Sequence, residues 1–559
     1  MNVHLEKFNQ AFDNKKILNY LFYSALLIIC VLKIPPVFST DIQPWDEGMY
    51  ALRVLSIYIN GDFFDQSSHS TGGFYSGSHP PLLIWIGYFI SLITGLNSPT
   101  LKLIIFAFSI ASLFLIYKTS SELFDRKVGL LATLIFSSTI IFNVFSKRFQ
   151  FDIPYTFFIL LSVYLMLNYN RSGSVKYLYS TGVVFGLCLM VKIIVGILIP
   201  IVFMISYYFL IDRFKVTVKD ILLFSLIGII IAAPWHIYMI VTHGYEFLSY
   251  FFGFHIIERA FSGLEHNNKS SGLLYYINYL LNIIPFSVLI FYSLVTDFKK
   301  IRKLSWQKVF LWVWFLTGFV IITIFKTKLE VYILLILTPG VMLLADFILS
   351  YEFDSFRKKF IAALLLLFNL IWYFTDTVRH QAKEVVLHSD FLIILLVLGV
   401  SVILLTAVAF LVSKINRLKP VLILFVVLTF LISNIKYLID IPSWENTYNI
   451  SELKLIIDSY PASRICYIAS DYRYNPQLSF YFEGADVDWT KSGYNITMLD
   501  TKNGTDSIRS DLSEYKDETF VIVEKDNINR ADYPASELFI PGNYRLIYKT
   551  RGYELYSNN

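Results

Sequence analysis

The sequence predicts a polytopic α-helical membrane protein of about thirteen transmembrane helices. It adds a large first external loop with juxtamembrane helices and a soluble α/β domain at the C-terminus. Three observations carry this. The 559 residues are 56% hydrophobic and only 16% charged, with a mean hydropathy of +0.57. Long apolar runs alternate with short basic segments, which marks a chain built for a bilayer. After Pro442 the apolar runs give way to short strand-like and helical patterns.

The apolar runs fall at 17–35, 101–117, 128–145, 154–169, 177–191, 194–211, 220–241, 274–295, 306–325, 329–350, 360–375, 390–412 and 420–441. Each lies near the ~20 residues a helix needs to cross ~30 Å of hydrocarbon. The run at 80–96, "PPLLIWIGYFISLITGL", is read as an interfacial helix, with Trp85 and Tyr88 suited to the headgroup boundary. With that run not crossing and the N-terminus cytoplasmic, the inner loops are 118–127, 170–176, 212–219, 296–305, 351–359 and 413–419, and every one carries Lys or Arg. That distribution is what the positive-inside rule requires. Lys15 and Lys16 precede a long first run that lacks a small-residue cleavage site, so this run is read as an uncleaved anchor. The protein is thus expected as a multi-pass protein of the cell (plasma or inner) membrane, with residues 1–441 forming the membrane domain and 442–559 lying outside. Within the latter, "SELKLIIDSY" reads as a helix, "SRICYIAS" and "ETFVIVEKD" as buried strands, and "YRLIYKTRGYELYS" as a hairpin.

The net charge of +5 says nothing of nucleic acid, and no nucleic-acid partner is expected. Cys30, Cys188 and Cys466 have no metal spacing and imply no disulfide framework. No Gly-rich phosphate loop of the usual kinds is present, and the residues require no cofactor.

Acids, histidines and isolated cations gather in the segments assigned outside. Asp46 and Glu47 follow Trp45 at the start of the 36–100 loop. Asp152 stands at the outer end of a crossing, after Lys147 and Arg148; it is either a site residue or the partner of Arg148 at i,i+4. Lys192 sits between two apolar runs in K-x-x-x-G-x-x-x-P spacing with Gly196 and Pro200, and either snorkels or grips an anion. Arg259 lies four residues after His255, on one helical face. Lys326, Lys328 and Tyr332 flank the start of another crossing. A sugar on a polyprenyl phosphate is already activated, so its transfer needs only cations for the phosphate, a carboxylate near the acceptor, and apolar surface for the lipid. A transporter or flippase of a lipid-linked sugar is the alternative, but it would place ionisable groups near the midplane and often shows repeats.

The order of motifs resembles a family. "TDIQPWDEGMYALR" (40–53), "HPPL" (79–82), "ELFDRKVGLLATLIF" (122–136), "SKRFQFDIPYTFF" (146–158), "LMVKIIVGILIP" (189–200), "APWHIYMIVTHGYEFLSYFFGFHIIERAF" (233–261) and "KTKLEVYILLILTPGVMLLA" (326–345) occur in sequence. This series resembles the polyprenyl-phosphate-sugar-dependent membrane glycosyltransferases of the GT-C type, on the branch of the lipid A aminoarabinose transferase and the protein O-mannosyltransferases. The resemblance implies a transferase taking sugar from a polyprenyl-phosphate donor to a lipid, glycan or protein acceptor on the external face. It implies Asp46 as base or acceptor-orienting acid, with Glu47 and Asp152 beside it; helix capping is the plainer role for Asp46. It implies Lys192, Arg259, Lys326, Lys328, Arg148 and His255 at the donor phosphate, and His79, Tyr332 and Trp45 at substrate. Ser78–His79 and Phe254 replace acid and lysine positions of the lipid A enzymes, which speaks against borrowing their acceptor or a metal site. A divalent metal on His79 and His255 would have two ligands, too few to specify one.

Overall fold

The structure is a computed structural model and describes residues 14–210, 213–262, 274–386, 418–445, 449–459, 464–469, 475–483, 495–500, 505–515, 519–524, 540–550 and 552–558. The run expected at 390–412 lies outside the described residues.

Helix α1 (Lys15–Ser39) leads into the first loop, which holds α2 (Asp46–Asn60) and α3 (Leu82–Thr94). There follow α4 (Ser98–Leu123), α5 (Arg126–Ser137), α6 (Ile140–Phe145), α7 (Asp152–Ser172), α8 (Val175–Leu189), α9 (Leu198–Leu210) and α10 (Val218–Leu248). Then come α11 (Tyr275–Ile283), α12 (Val288–Phe298), α13 (Trp306–Ile324), α14 (Leu334–Ser350), α15 (Phe356–Val386) and α16 (Leu418–Glu445). By length and apolarity seven helices among the described residues can cross a membrane: α1, α4, α7, α10 with its continuation to Phe261, α13, α14 with its preceding turn, and α16. The pair α11 and α12, bent by 114°, would make an eighth.

The other expected runs take different local forms, for identifiable reasons. The run 128–145 is split into α5 and α6 at Ser137-Ser138-Thr139. The hydroxyls of Ser137 and Ser138 both donate back to the Leu134 carbonyl, and Thr139 Oγ1 accepts from Phe142 N–H to start a new helix. The run 274–295 breaks between α11 and α12 around Pro285, which has no amide hydrogen to continue the ladder. The runs 177–191 and 194–211 form the shorter apolar helices α8 and α9. The run 80–96 forms α3, 13 residues long, too short to cross by the ~20-residue requirement. Helix α14 is the centre of the bundle, with 89% of its apolar window buried; only 28% of the corresponding window of α10 is buried, so that helix offers most of its side chains to the surroundings.

The basic loops meet at one end of the bundle. Arg126 donates to the Lys15 carbonyl and to Asn19, Arg171 pairs with Glu122, Asn170 accepts from Lys215 N–H, Arg213 donates to the Leu304 carbonyl, and Lys419 pairs with Glu352. The first loop and the C-terminal segment meet at the other end. There α17 (Ile450–Asp458), α18 (Pro476–Glu483) and α19 (Thr505–Glu514) accompany a five-stranded sheet. Its strands β1 (Arg464–Ala469), β2 (Asn495–Asp500), β3 (Thr519–Glu524), β4 (Arg545–Lys549) and β5 (Tyr553–Ser557) lie in the order β2-β1-β3-β5-β4. β1 is parallel to β2 and β3, while β5 is antiparallel to β3 and β4. Sequence reasoning missed β2, whose six residues stand between turn-rich stretches.

The sheet segment is clamped to the first loop. Asp41 accepts Ser451 N–H (3.0 Å) and Tyr481 O–H (3.3 Å), and Tyr481 Oη accepts Ile42 N–H (3.1 Å). A Cβ on Gly48 would lie 2.7 Å from the Gln477 amide nitrogen, so helices α2 and α18 touch backbone to backbone there. Beneath this contact lies a buried charge network. The carboxylate of Glu445, at the end of α16, pairs with Lys147 and with Arg148 Nε (3.1 Å). Lys102 Nζ donates to Thr40 Oγ1 (2.9 Å) and the Asp41 carbonyl (2.7 Å), and lies 3.9 Å from Glu47. Burial would raise the Glu445 carboxyl, but Lys147, Lys102 and Arg148 outweigh it and hold it down at about 2.

Two outcomes are expected. Glu445→Gln leaves the cations without their counterion, and at neutral pH should cost about 3–5 kcal/mol, the usual scale for breaking a buried pair. Because the folded carboxyl sits near 2 against an ordinary 4.5, its contribution is complete above pH 4.5 and fades as pH falls toward 2. The gap in thermal midpoint between wild type and Glu445→Gln should therefore narrow below pH 4.5; a pH-independent gap would contradict the pairing. Gly48→Ala should lower the thermal midpoint, since forcing apart two backbones costs about 1–3 kcal/mol, and an unchanged midpoint would contradict the close contact.

Candidate active site

The catalytic question starts at Trp45. Its backbone is held at φ 65°, ψ −131°, a region non-glycine residues rarely occupy. Helix α2 begins at Asp46, so Asp46 is its first helical residue and the residue at the cap is Trp45, whose side chain makes no capping bond. Successive helical side chains point about 100° apart, so the adjacent carboxylates diverge. Asp46 lines a polar cavity of about 420 Å³. Glu47 turns into the core, fully buried, where its carboxylate accepts Gln43 N–H (2.9 Å) and Phe149 N–H (2.9 Å) and faces Lys102. Glu47 thus corrects the sequence reading: its oxygens are committed to backbone amides and hold the 146–152 turn against α2.

The polar cavity brings together Asp46, Asp152, Lys192, His79, His255 and Arg259. Each arrives by a local device. Asp152 opens α7. Lys192 stands in extended backbone (φ −159°) between α8 and the turn Ile193–Gly196, with its ammonium 5.4 Å from the Tyr332 ring centre and 6.0 Å from that of Tyr155. Helix α10 breaks at Gly244 (φ 52°) and continues as a π-helical turn, Ser249–Glu258, that carries His255; such turns recur at functional sites. His255 Nε2 lies 2.9 Å from the Tyr75 carbonyl, which can only accept, so that nitrogen carries the proton. The Arg259 carbonyl accepts Thr327 N–H (3.0 Å), tying this turn to the approach to α14. His79 packs beside His255 with ring centres 4.2 Å apart. Burial, then the positive field of His255, Lys192 and Arg259, drives the His79 imidazole well below its ordinary range, so it is neutral at physiological pH.

A second, largely apolar cavity of about 790 Å³ adjoins the first and shares His79, Lys192, His255 and Arg259 with it. Ile193, Val195, Leu198, Phe251, Phe325 and Leu335 supply apolar wall, and Tyr332 also lines it. The cations stand where the polar and apolar chambers meet.

Three more expected residues are placed elsewhere. Arg148 belongs to the Glu445 network, since a buried carboxylate holds it there, and it lines neither chamber. Nor does it reach Asp152 in an i,i+4 pair: Asp152 opens α7 while Arg148 belongs to the preceding turn. Lys328 is buried, with its ammonium donating to the carbonyls of Ile322, Thr323 and Phe325, and so it caps the end of α13. Lys326 is exposed and lines neither chamber. Trp45 acts through its backbone and is not among the lining residues. Among the described residues no group of three His, Cys, Asp or Glu side chains is placed to hold a metal.

Sequence reasoning missed Tyr50 and Arg53. Tyr50, four residues after Asp46, lines the polar chamber; burial, then the charges of Asp46 and Asp152, hold its phenol protonated. The i,i+4 spacing was the available signal. Arg53, wholly buried, donates to the carbonyls of Ser76 (3.1 Å) and His79 (2.8 Å) and to Gln66 (2.9 Å), and so fixes the strand of loop that carries His79.

Comparison with known proteins finds relatives in both sequence and fold. Residues 78–238 match the family described as dolichyl-phosphate-mannose-protein mannosyltransferase. Two uncharacterized proteins of Aquifex aeolicus (strain VF5) are 25% identical over 335 residues (58% of this chain, 63% of the relative) and 27% identical over 342 residues (61% and 76%). The undecaprenyl phosphate-alpha-4-amino-4-deoxy-L-arabinose arabinosyl transferase 2 of Proteus mirabilis (strain HI4320) is 31% identical over 188 residues, 33% of this chain and 32% of that enzyme. The first of the Aquifex relatives and the Proteus enzyme are therefore matched over less than two thirds of their length. The crystal structure of ArnT from Cupriavidus metallidurans bound to undecaprenyl phosphate superposes with a TM-score of 0.67 at 15% identity, covering 96% of this chain and 98% of that one. The same protein in the apo state gives 0.65. The chain thus carries a domain matching the dolichyl-phosphate-mannose-protein mannosyltransferase family, and its resemblance to the lipid-dependent GT-C glycosyltransferases, read from the order of its motifs, holds in both sequence and fold.

Proposed function

We propose that the protein transfers a sugar from a polyprenyl-phosphate donor to an acceptor at the external face of a cell membrane. The observation that carries this is the pair of joined chambers with Lys192 and Arg259 at their junction. The apolar chamber suits the first units of a prenyl chain, the junction cations suit its phosphate, and the carboxylate chamber suits the sugar and the acceptor hydroxyl. The bond between the sugar's anomeric carbon and the phosphate oxygen breaks, and the electron pair leaves on polyprenyl phosphate, where Lys192 and Arg259 offset the charge. The acceptor oxygen forms the new bond and gives its proton to Asp46. Asp152 shares the chamber with Asp46 and Lys192 and orients sugar and cation. The titanic share of binding energy is not required of any single group, because the leaving group is activated before it arrives. In this reading 36–100 and 442–559 lie on the external side, and the basic loops in the cytoplasm.

Asp46→Asn should reduce transfer of radiolabelled sugar from polyprenyl phosphate by on the order of 10²–10⁴-fold, while undecaprenyl phosphate still binds. Full retained activity with chemistry limiting would sink the assignment. Lys192→Ala should instead weaken undecaprenyl-phosphate binding, and the difference from wild type should shrink at high salt. In intact cells, single cysteines at the exposed positions 60 and 459 should react with an impermeant reagent and one at 300 should not; the reverse would overturn the orientation.

A further inference from the structure

We propose that His79 takes up a proton when a phosphate monoester occupies the junction of the two chambers, so that the site holds polyprenyl phosphate more tightly as the pH falls. The inference rests on the placing of the phosphate in the transferase reading and adds its regulation.

His79 is held beside the cations of the junction. Arg53 grips its carbonyl (2.8 Å). Three residues on, Leu82 N–H donates to the Met190 carbonyl (3.1 Å), two residues before Lys192. The segment that carries His79 is thereby bonded to the segment that carries Lys192. The His79 ring stands between Phe151 (ring centres 5.7 Å apart), Tyr50 (6.2 Å) and His255 (4.2 Å). It is half-buried and lines both chambers with Lys192 and Arg259. Among the described residues neither of its ring nitrogens has a hydrogen-bond partner. His255 is closed by comparison: its Nε2 donates to the Tyr75 carbonyl and its Nδ1 is enclosed by protein. Of the two imidazoles, His79 is the one a ligand can reach.

The charged and titratable groups around the ring, among the described residues, come from every element packed against it. Helix α2 gives Asp46, Tyr50 and Arg53, and α7 gives Asp152. Lys192, His255 and Arg259 complete the junction, with Tyr332 on the apolar side. Burial first, then His255, Lys192, Arg259 and Arg53, favour the neutral ring while the junction holds no anion. A bound phosphate reverses that balance. One negative charge about 4 Å away, in surroundings of intermediate polarity, changes a proton affinity by on the order of a thousandfold. A deprotonated phosphate oxygen only accepts hydrogen bonds. The neutral ring offers it one N–H; the protonated ring offers two, and a charge.

The coupling separates donor from product. The sugar donor is a phosphate diester with one negative charge. Transfer breaks its bond to the anomeric carbon and leaves a monoester, which carries close to two at neutral pH. The acceptor has meanwhile given up one proton. A proton on His79 offsets the second charge. The ring of the empty site is protonated only below its ordinary range, and that of the occupied site at higher pH. Affinity for the monoester therefore rises as pH falls between those two limits, by at most about tenfold per pH unit for one proton. The spent carrier leaves more readily at alkaline pH. The phosphate's own second ionisation, at about pH 6, acts in the opposite sense, because losing charge weakens its hold on Lys192 and Arg259.

The test is calorimetric binding of farnesyl phosphate, a short monoester, to the full-length protein in lipid nanodiscs at mildly alkaline pH. Buffers of different ionisation enthalpy count the protons exchanged. Wild type should take up roughly half to one proton per monoester bound, and fewer with farnesyl methyl phosphate, a diester. In His79→Gln the uptake should vanish while binding persists at lower affinity. In His79→Lys, whose cation is permanent, the uptake should vanish while affinity is kept. A merely structural role for His79 would lower affinity and leave the proton count unchanged. Proton release or no exchange on binding to wild type would overturn the proposal, as would unchanged uptake in a folded variant. If one variant fails to fold, the other decides. Binding without uptake overturns this proposal alone, whereas a wild type that binds neither phosphate overturns the placing of the phosphate as well.

Discussion

Glu445 is the point on which the architecture of the outer end depends. Its carboxylate lies at the close of α16 and pairs with Lys147 and Arg148, which belong to the turn before α7. Lys102, from α4, stands between this group and Glu47 on α2. Four separate parts of the chain therefore meet in one cluster of three cations and two carboxylates. Each ion alone would be intolerable at that depth, and together they fix one another. The same cluster explains why two acids side by side in sequence have different duties. Glu47 is anchored, and its anchoring sets the rotation of α2 that delivers Asp46 to the chamber.

The site is a boundary more than a pocket. Four residues, His79, Lys192, His255 and Arg259, belong to both chambers, so the charge stands where the lining changes from apolar to polar. Fields are strongest where water is excluded on one side, which makes two cations there more effective than the same two on a surface. A neutral His79 adds a hydrogen-bonding ring without adding to the positive charge. The Arg53 guanidinium, out of contact with either chamber, keeps the loop backbone in place by occupying its carbonyls.

Much of this was legible in the sequence because it is local. Apolar length, basic-loop alternation and the strands around Cys466, Val521 and Leu555 depend on near neighbours. So does the spacing of His255 and Arg259, one helical turn apart. Asp46, Asp152, Lys192, Arg259, His255, His79 and Tyr332 do converge on the paired chambers. What failed was the fate of cations. Lys328 and Arg148 have the residue type and depth expected of phosphate ligands. Only the fold shows that one closes a helix end and the other answers a carboxylate 297 residues away. Nothing local distinguishes a lysine that caps from one that binds. The broken run at 128–145 failed for a related reason: hydropathy weighs the apolar residues and overlooks hydroxyls that satisfy the backbone.

The contact at Gly48 has a consequence in time. A chain emerges from its N-terminus, so α2 and its carboxylate are made early, while the α18 backbone that seats against Gly48 is made near the end. The bond from Ile42 to Tyr481 spans 439 residues. Contacts of such range form only after everything between them has been synthesised and placed. The acid's helix therefore waits, incompletely packed, until the last segment arrives to finish its second side. A nascent or truncated chain that stops short of α18 holds every residue of the two chambers and lacks the surface that seats α2 against Gly48.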